Sequence, residues 1–254
     1  MSGSPWRSLL WPLLATCAAL AVLVSLGLWQ LQRLAWKEAV LAQIAARVSA
    51  PPVAAPADWS AFDPQRDEYR HVTVSGTFEH DHEALVFRAT GNGRPGFEGP
   101  GYLVMTPLLL ADGAHVLVNR GFVPLARRDP ASRLAGQRPG FVTVTGLLRS
   151  SEPRNAFTPP DSPVTNAWFT RDVAAIAAHF ELGRTAPFSI DADATPNPGG
   201  LPAGGATVLA IANDHLSYAL TWFGLGLALI GVFAVYAWGK VSTAAAPNAN
   251  LSAP

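Results

Sequence analysis

The chain has 254 residues, 18 basic and 18 acidic side chains, a formal net charge of zero at pH 7, and 49% hydrophobic residues. A neutral balance removes the electrostatic case for nucleic acid as a partner, because phosphate binding needs a basic surplus. A single cysteine, Cys17, excludes an intramolecular disulfide and a thiolate metal site, and no Cys-x-x-Cys-His run exists for covalent haem attachment.

Met105 is the only methionine after the first residue, so a methionine-rich copper site is out, and any metal or haem must rest on histidine or oxygen. The first predicted element is a transmembrane helix over residues 9–31, uncharged between Arg7 and Arg33. About 20 apolar residues suffice to cross a hydrocarbon core of roughly 30 Å. The run is longer than the apolar core of a signal peptide, and Thr16 before Cys17 fits a lipoprotein box poorly, so a retained anchor is expected. Helical apolar spacing continues past the span, and residues 32–50 are expected to form a helical extension and linker, stopped by Pro51-Pro52.

Residues 57–212 predict one β-rich domain of mainly antiparallel (α+β) type, with the character of a small barrel. Strand-like stretches cover 69–78, 84–88, 102–110, 115–123, 142–149, 188–190 and 207–211. Asp112-Gly113 and Gly91-Asn92-Gly93 are turn signals, 173–180 predicts a short helix with Asp172 as N-cap, and 195–205 is a Pro/Gly-rich loop. A second transmembrane helix is predicted over 216–238, followed by a disordered tail over 240–254. Two spans place both termini on one side, but Arg7 and Lys240 are matched by Arg33 and Lys37, so charge leaves the orientation open.

No enzyme motif is present: there is no Gly-x-Ser-x-Gly elbow, phosphate-binding Gly loop or His-Glu-x-x-His helix. His80 and His82, two apart in a polar run, would share a strand face and could share a metal, or belong to a hairpin loop. His71, His115 and His179 fit structural roles, and the arginines at 120, 127, 128, 133 and 138 predict a solvated basic loop. The remaining candidate is His215 at the entrance of the second span, where helical spacing puts His215, Tyr218, Ala219 and Trp222 on one face, near Gly226. On these residues alone, a ligand site and a solvated interfacial cap both fit.

Several segments in fixed order resemble the Surfeit-one family of cytochrome c oxidase assembly proteins. They are Leu26-Gly27-Leu28-Trp29-Gln30-Leu31-Gln32-Arg33 with Lys37, Arg70-His71-Val72-Thr73-Val74-Ser75-Gly76, and Thr106-Pro107-Leu108. Val116-Leu117-Val118-Asn119-Arg120-Gly121-Phe122-Val123-Pro124, Val144-Thr145-Gly146-Leu147-Leu148-Arg149 and Trp168 follow, then the Asn-x-His-Leu-x-Tyr-x-x-Thr-Trp element from Asn213 to Trp222. The chain departs from the family at Phe122, where tryptophan is frequent, and near Asp161, where asparagine is frequent.

The resemblance implies a non-enzymatic factor that binds haem a and assists its insertion into the largest subunit of haem-copper cytochrome c oxidase. It implies His215 as axial ligand to the haem iron. Beside such a ligand, Tyr218, Trp222, Trp29, Gln30 and Arg33 are the further cofactor-binding candidates on physical grounds, and an aromatic belt with snorkelling cations fits the same residues. Arg33 or Lys37 would pair with a propionate. The implied partners are the largest oxidase subunit, haem a synthase and membrane lipid. The resemblance implies cytoplasmic termini and a periplasmic domain, on the outer face of the inner membrane. A bacterial membrane is expected because too few residues precede the first span for a mitochondrial transit peptide. The alternatives are a haem-free adaptor acting through its β domain and a metal enzyme built on His80 and His82.

Overall fold

The computed structural model describes residues 5–90, 97–205, 207 and 213–245. These fall into two compact units, one of Met1–Ala42 with Ile211–Pro254 and one of Gln43–Ala210. Helix α1 (Pro5–Ser49) is followed by strand β1 (Val53–Ala54), the one-turn helix α2 (Pro64–Asp67), β2 (His71–Phe78) and β3 (Ala84–Arg88). Then come β4 (Gly101–Leu109), β5 (His115–Pro124), β6 (Phe141–Arg149), helix α3 (Val173–His179), β7 (Thr185–Ala192) and helix α4 (His215–Ala245). Two apolar terminal helices thus bracket a mixed α+β domain, as the hydropathy pattern predicts.

In the helical unit, α1 and α4 are long and apolar enough to cross a membrane. Their large side chains mostly face outward, Trp11 at 78% and Leu227 at 75% exposure, which is the surface a lipid environment stabilises. The helices meet along a narrow seam of small residues. A Cβ at Gly27 would lie 2.5 Å from the Phe223 ring, and one at Gly226 would lie 3.2 Å from Leu20 Cδ1. Ala219 is fully buried in the same seam, so the backbones approach closely where side chains are smallest. Helix α4 continues through Lys240 to Ala245, so the expected disordered tail is helical over its first residues; positions 246–254 lie outside the described residues.

In the β unit the strand order is β1-β2-β6-β7-β5-β4-β3, and β2 also pairs with β4 through Thr77↔Leu109 and Phe78↔Leu108. That last pairing closes β2, β6, β7, β5 and β4 into a ring, a small barrel with β1 and β3 attached. Pairing is antiparallel except for β1 with β2 and β5 with β7. Closure requires β2 to pass close to the end of β4, and Gly76 permits it, since a Cβ there would lie 2.3 Å from the Leu109 carbonyl oxygen. Strand β5 is buried along nearly its whole length, because both its faces are covered.

Trp168, Phe122, Met105 and Ile176 form one core cluster, and Val72, Leu148, Phe188 and Ile190 another. Fully burying each such side chain is worth about 1.5–3 kcal/mol. The Asp172 side chain caps α3 by accepting from the Ala175 N–H at 3.0 Å. Strand β7, Thr185–Ala192, is longer than the expected stretch at 188–190. The expected Gly91-Asn92-Gly93 turn lies outside the described residues, as do positions 208–211 of the expected 207–211 strand, while Thr207 is described and is not in a strand.

Candidate functional site

His215 is the first residue of α4, and Gln30 lies on α1 in the same helical unit. Their side chains meet: His215 Nδ1 is 2.8 Å from Gln30 Oε1. With the amide oxygen as acceptor, Nδ1 carries a proton, which makes Nε2 the nitrogen with a free lone pair in the unprotonated imidazole. A part-buried imidazole with one nitrogen tied back and the other basic is the arrangement that orients histidine toward a metal. The donor set therefore fits one axial bond to a haem iron.

The neighbouring candidates do not share a single stripe. Ala219 is buried against α1 and Trp222 is partly buried, whereas Tyr218 is 57% exposed and turned off the seam. One residue off the seam is enough for this, since each step rotates the side chain by about 100°. Trp29 likewise faces outward at 55% exposure. The guanidinium of Arg33 lies 4.0 Å over the Trp36 ring, one turn beyond Gln30 and at the same end of the helix pair as His215. The side chains the structure brings together are those of His215 and Gln30. The role of Gln30 in orienting the imidazole is legible only as a polar residue placed in an apolar run.

In the β unit, His80 and His82 sit in a 3-10 turn rather than a strand, so their rings diverge. His80 Nε2 donates to the Arg138 carbonyl at 3.1 Å and its ring packs on Phe78, while His82 contacts Glu79 at 3.3 Å and Phe180. Burial holds the His80 pKa below its ordinary value. Among the described residues no group of three or more His, Cys, Asp or Glu side chains is placed to hold a metal.

His71 is held by Asp193 Oδ2 and the Ala50 carbonyl oxygen, each at 2.9 Å. Burial opposes its protonation, but these two acceptors outweigh it and raise the pKa. His179 packs edge-on against Trp168. His115 is buried with Nε2 3.3 Å from Glu79 Oε2.

The basic loop is not simply solvated. Arg133 is buried and makes a two-bond ion pair with buried Glu83, and Arg120 is 3% exposed. A second buried network joins Asp191 to Arg171 at 3.0 Å, Arg149 at 3.0 Å and Asn119 at 2.9 Å. Burial would raise the Asp191 pKa, but the two guanidinium groups outweigh it and lower it.

Comparison with known proteins gives a consistent result. The sequence model described as the SURF1 family matches residues 17–227. A SURF1-like protein of Monosiga brevicollis is 41% identical over 213 residues, covering 80% of this chain and 79% of its own length. Surfeit locus protein 1 of Mus musculus is 38% identical over 215 residues, covering 81% and 69%. The Homo sapiens protein of the same name is 38% identical over 214 residues, covering 80% and 70%.

Proposed function

Because the chain belongs to the SURF1 family, we propose that it is a membrane-anchored, non-catalytic assembly factor for haem-copper cytochrome c oxidase that binds haem a and assists its insertion into the largest subunit. The observation that carries this reading is the hydrogen bond from His215 Nδ1 to Gln30, which leaves Nε2 as the ligating nitrogen. Haem a, when bound, would supply an iron able to accept an imidazole nitrogen, together with two acidic propionates and an apolar isoprenoid tail. Gln30 fixes the ring, partly buried Trp222 and exposed Tyr218 and Trp29 offer aromatic surface, and Arg33 offers a cation for a propionate. The assigned location is the bacterial cytoplasmic membrane, with both termini inside and the β domain outside. The assigned partners are the largest oxidase subunit, haem a synthase and lipid.

The test is the visible spectrum and extracted-haem composition of detergent-purified protein co-expressed with haem a synthesis, beside His215→Ala. Bound haem a that disappears in the folded variant is the expected result; haem a retained by His215→Ala, or absent from folded wild type, overturns it.

A second reading is a haem-free adaptor that binds the nascent subunit through its β domain. It is favoured by Phe157 and Val164, two apolar side chains 94% and 96% exposed on that domain. Under it, crosslinking to the oxidase subunit survives His215→Ala and is lost in Phe157→Asp with Val164→Asp.

A further inference from the structure

The β unit contains a cleft of about 290 Å³ into which Arg120, Arg138, Thr143, Phe78, Val144 and Pro196 project, at the lower end of the size range of small-molecule sites. Arg120 is a residue of the buried β5 strand and is itself 3% exposed, an uncommon position for a guanidinium without a carboxylate. Among the described residues its hydrogen-bond neighbours are a carbonyl and an imidazole: one Nη donates to the carbonyl of Gly136 and the other reaches His80 Nδ1 at 3.3 Å. The Phe78 ring lies beneath it, 4.9 Å from the guanidinium carbon to the centroid. A guanidinium has five N–H donors, so donors remain.

The surrounding charge does not balance. The nearby carboxylate, Glu83, is taken by both Nη groups of Arg133. Arg133 and Arg138 repel the Arg120 charge, and burial with that repulsion lowers its pKa to about 10. The charges that act on Arg120 are those of Arg133, Arg138 and Glu83, so repulsion from two cations faces attraction from one anion. His80 beside it is held toward its neutral form by burial. The other acid of the cleft, Asp193, is hydrogen-bonded to His71 at 2.9 Å. An uncompensated buried cation is costly, and an oxyanion arriving in the cleft removes that cost.

We infer that this cleft binds a small organic oxyanion, with its carboxylate or phosphate head on Arg120 and Arg138 and its body against Phe78, Val144 and Pro196. The cleft volume exceeds what a bare ion fills, and Phe78, Val144 and Pro196 give it an apolar wall, so the ligand is an anion with an organic body. The hydroxyl of Thr143 adds a neutral donor at the wall. This site stands independently of the His215 reading.

The test is isothermal titration of the full-length protein in neutral detergent with benzoate, phenyl phosphate and the uncharged isostere benzamide. Saturable 1:1 binding of an anion, no binding of benzamide, and at least about tenfold weaker binding in Arg120→Gln and Arg138→Gln are expected, matching the loss of one charge-assisted bond. If Arg120→Gln fails to fold, Arg138→Gln and Thr143→Val carry the comparison. Adding phosphatidylglycerol to the micelles separates the two sources of such a head: loss of the titration identifies a lipid headgroup, and its persistence a soluble acid. Absence of saturable binding by either anion, equal binding of benzamide, or wild-type titration of the folded variants overturns the inference.

Discussion

Nδ1 of His215 lies 2.8 Å from Oε1 of Gln30, a residue 185 positions earlier in the chain. The contact joins the two terminal helices through a side-chain pair, and it selects the tautomer of the imidazole. Gln30→Leu removes the acceptor while leaving the ring in place. If His215 ligates haem a as proposed, its affinity is expected to fall about 10–100-fold, the usual cost of losing a residue that orients a ligating histidine. Nitrogen NMR of the haem-free protein provides an independent check: His215 shifts from a single Nδ1–H tautomer to a mixture. A single unchanged tautomer in Gln30→Leu would remove the positioning role.

The seam between the helices is equally specific. A side chain at Gly27 collides with the Phe223 ring, so Gly27→Val is expected to destabilise the helix pair by about 1–3 kcal/mol, the usual cost of overpacking. Thermal unfolding in detergent, followed by an engineered crosslink between α1 and α4, measures it. Phe223→Ala in the same chain should recover part of the loss, and a Gly27→Val protein as stable as wild type would rule out close packing there.

Arg133 and Glu83 are both nearly inaccessible, with side chains 1% and 3% exposed. Removing one partner strands the other charge in a dry interior, so Arg133→Met and Glu83→Gln should each cost about 3–5 kcal/mol. Replacing both together should cost less than the sum. Chemical denaturation of the four proteins measures the coupling, and additive losses would mean that water reaches the pair.

The pH dependence of stability has two limbs with opposite signs. The folded-state pKa of His71 is raised, so its contribution is fully present below the unfolded value of about 6.5 and is lost as pH rises through the folded value. The pKa values of Asp191 and Glu152 are lowered, the latter because Arg171 and Arg88 outweigh burial, so their contributions hold above about pH 4 and fade as pH falls through the folded values. Denaturation midpoints across pH should fall on both sides. His71→Gln should flatten the alkaline limb alone, and an unchanged alkaline limb in that variant would assign it to another group.

The legible parts of this protein were those written in local pattern. Both spans show as uncharged apolar runs, and most strands show as alternating stretches between turn residues. His215 stands out because a titratable ring at the start of an apolar run is conspicuous. The pairing of His215 with Gln30 is not visible, since nothing local connects positions so far apart. Helical spacing overstated the cluster at this site, because Tyr218 falls just outside the seam that Ala219 occupies.

The arginine run misleads for a related reason. Five arginines with one acid between them resemble a solvated face, and the carboxylate that buries Arg133 comes from the distant turn after β2. Alternation does not encode barrel closure, because closure rests on a register between β2 and β4 and on one missing side chain at Gly76. The parallel pairing of β5 with β7 is set by where the chain returns after α3, which alternation cannot encode.

The notch at Gly27 acts on more than distance. Phe223, two turns along α4 from His215, sits against the bare backbone of Gly27, where a side chain would leave it no room. Slipping by a single residue would swing the imidazole through about 100° and carry it away from Gln30. The seam therefore works as an indexing device: the contact at Gly27 fixes the same helix rotation that brings the imidazole to Gln30.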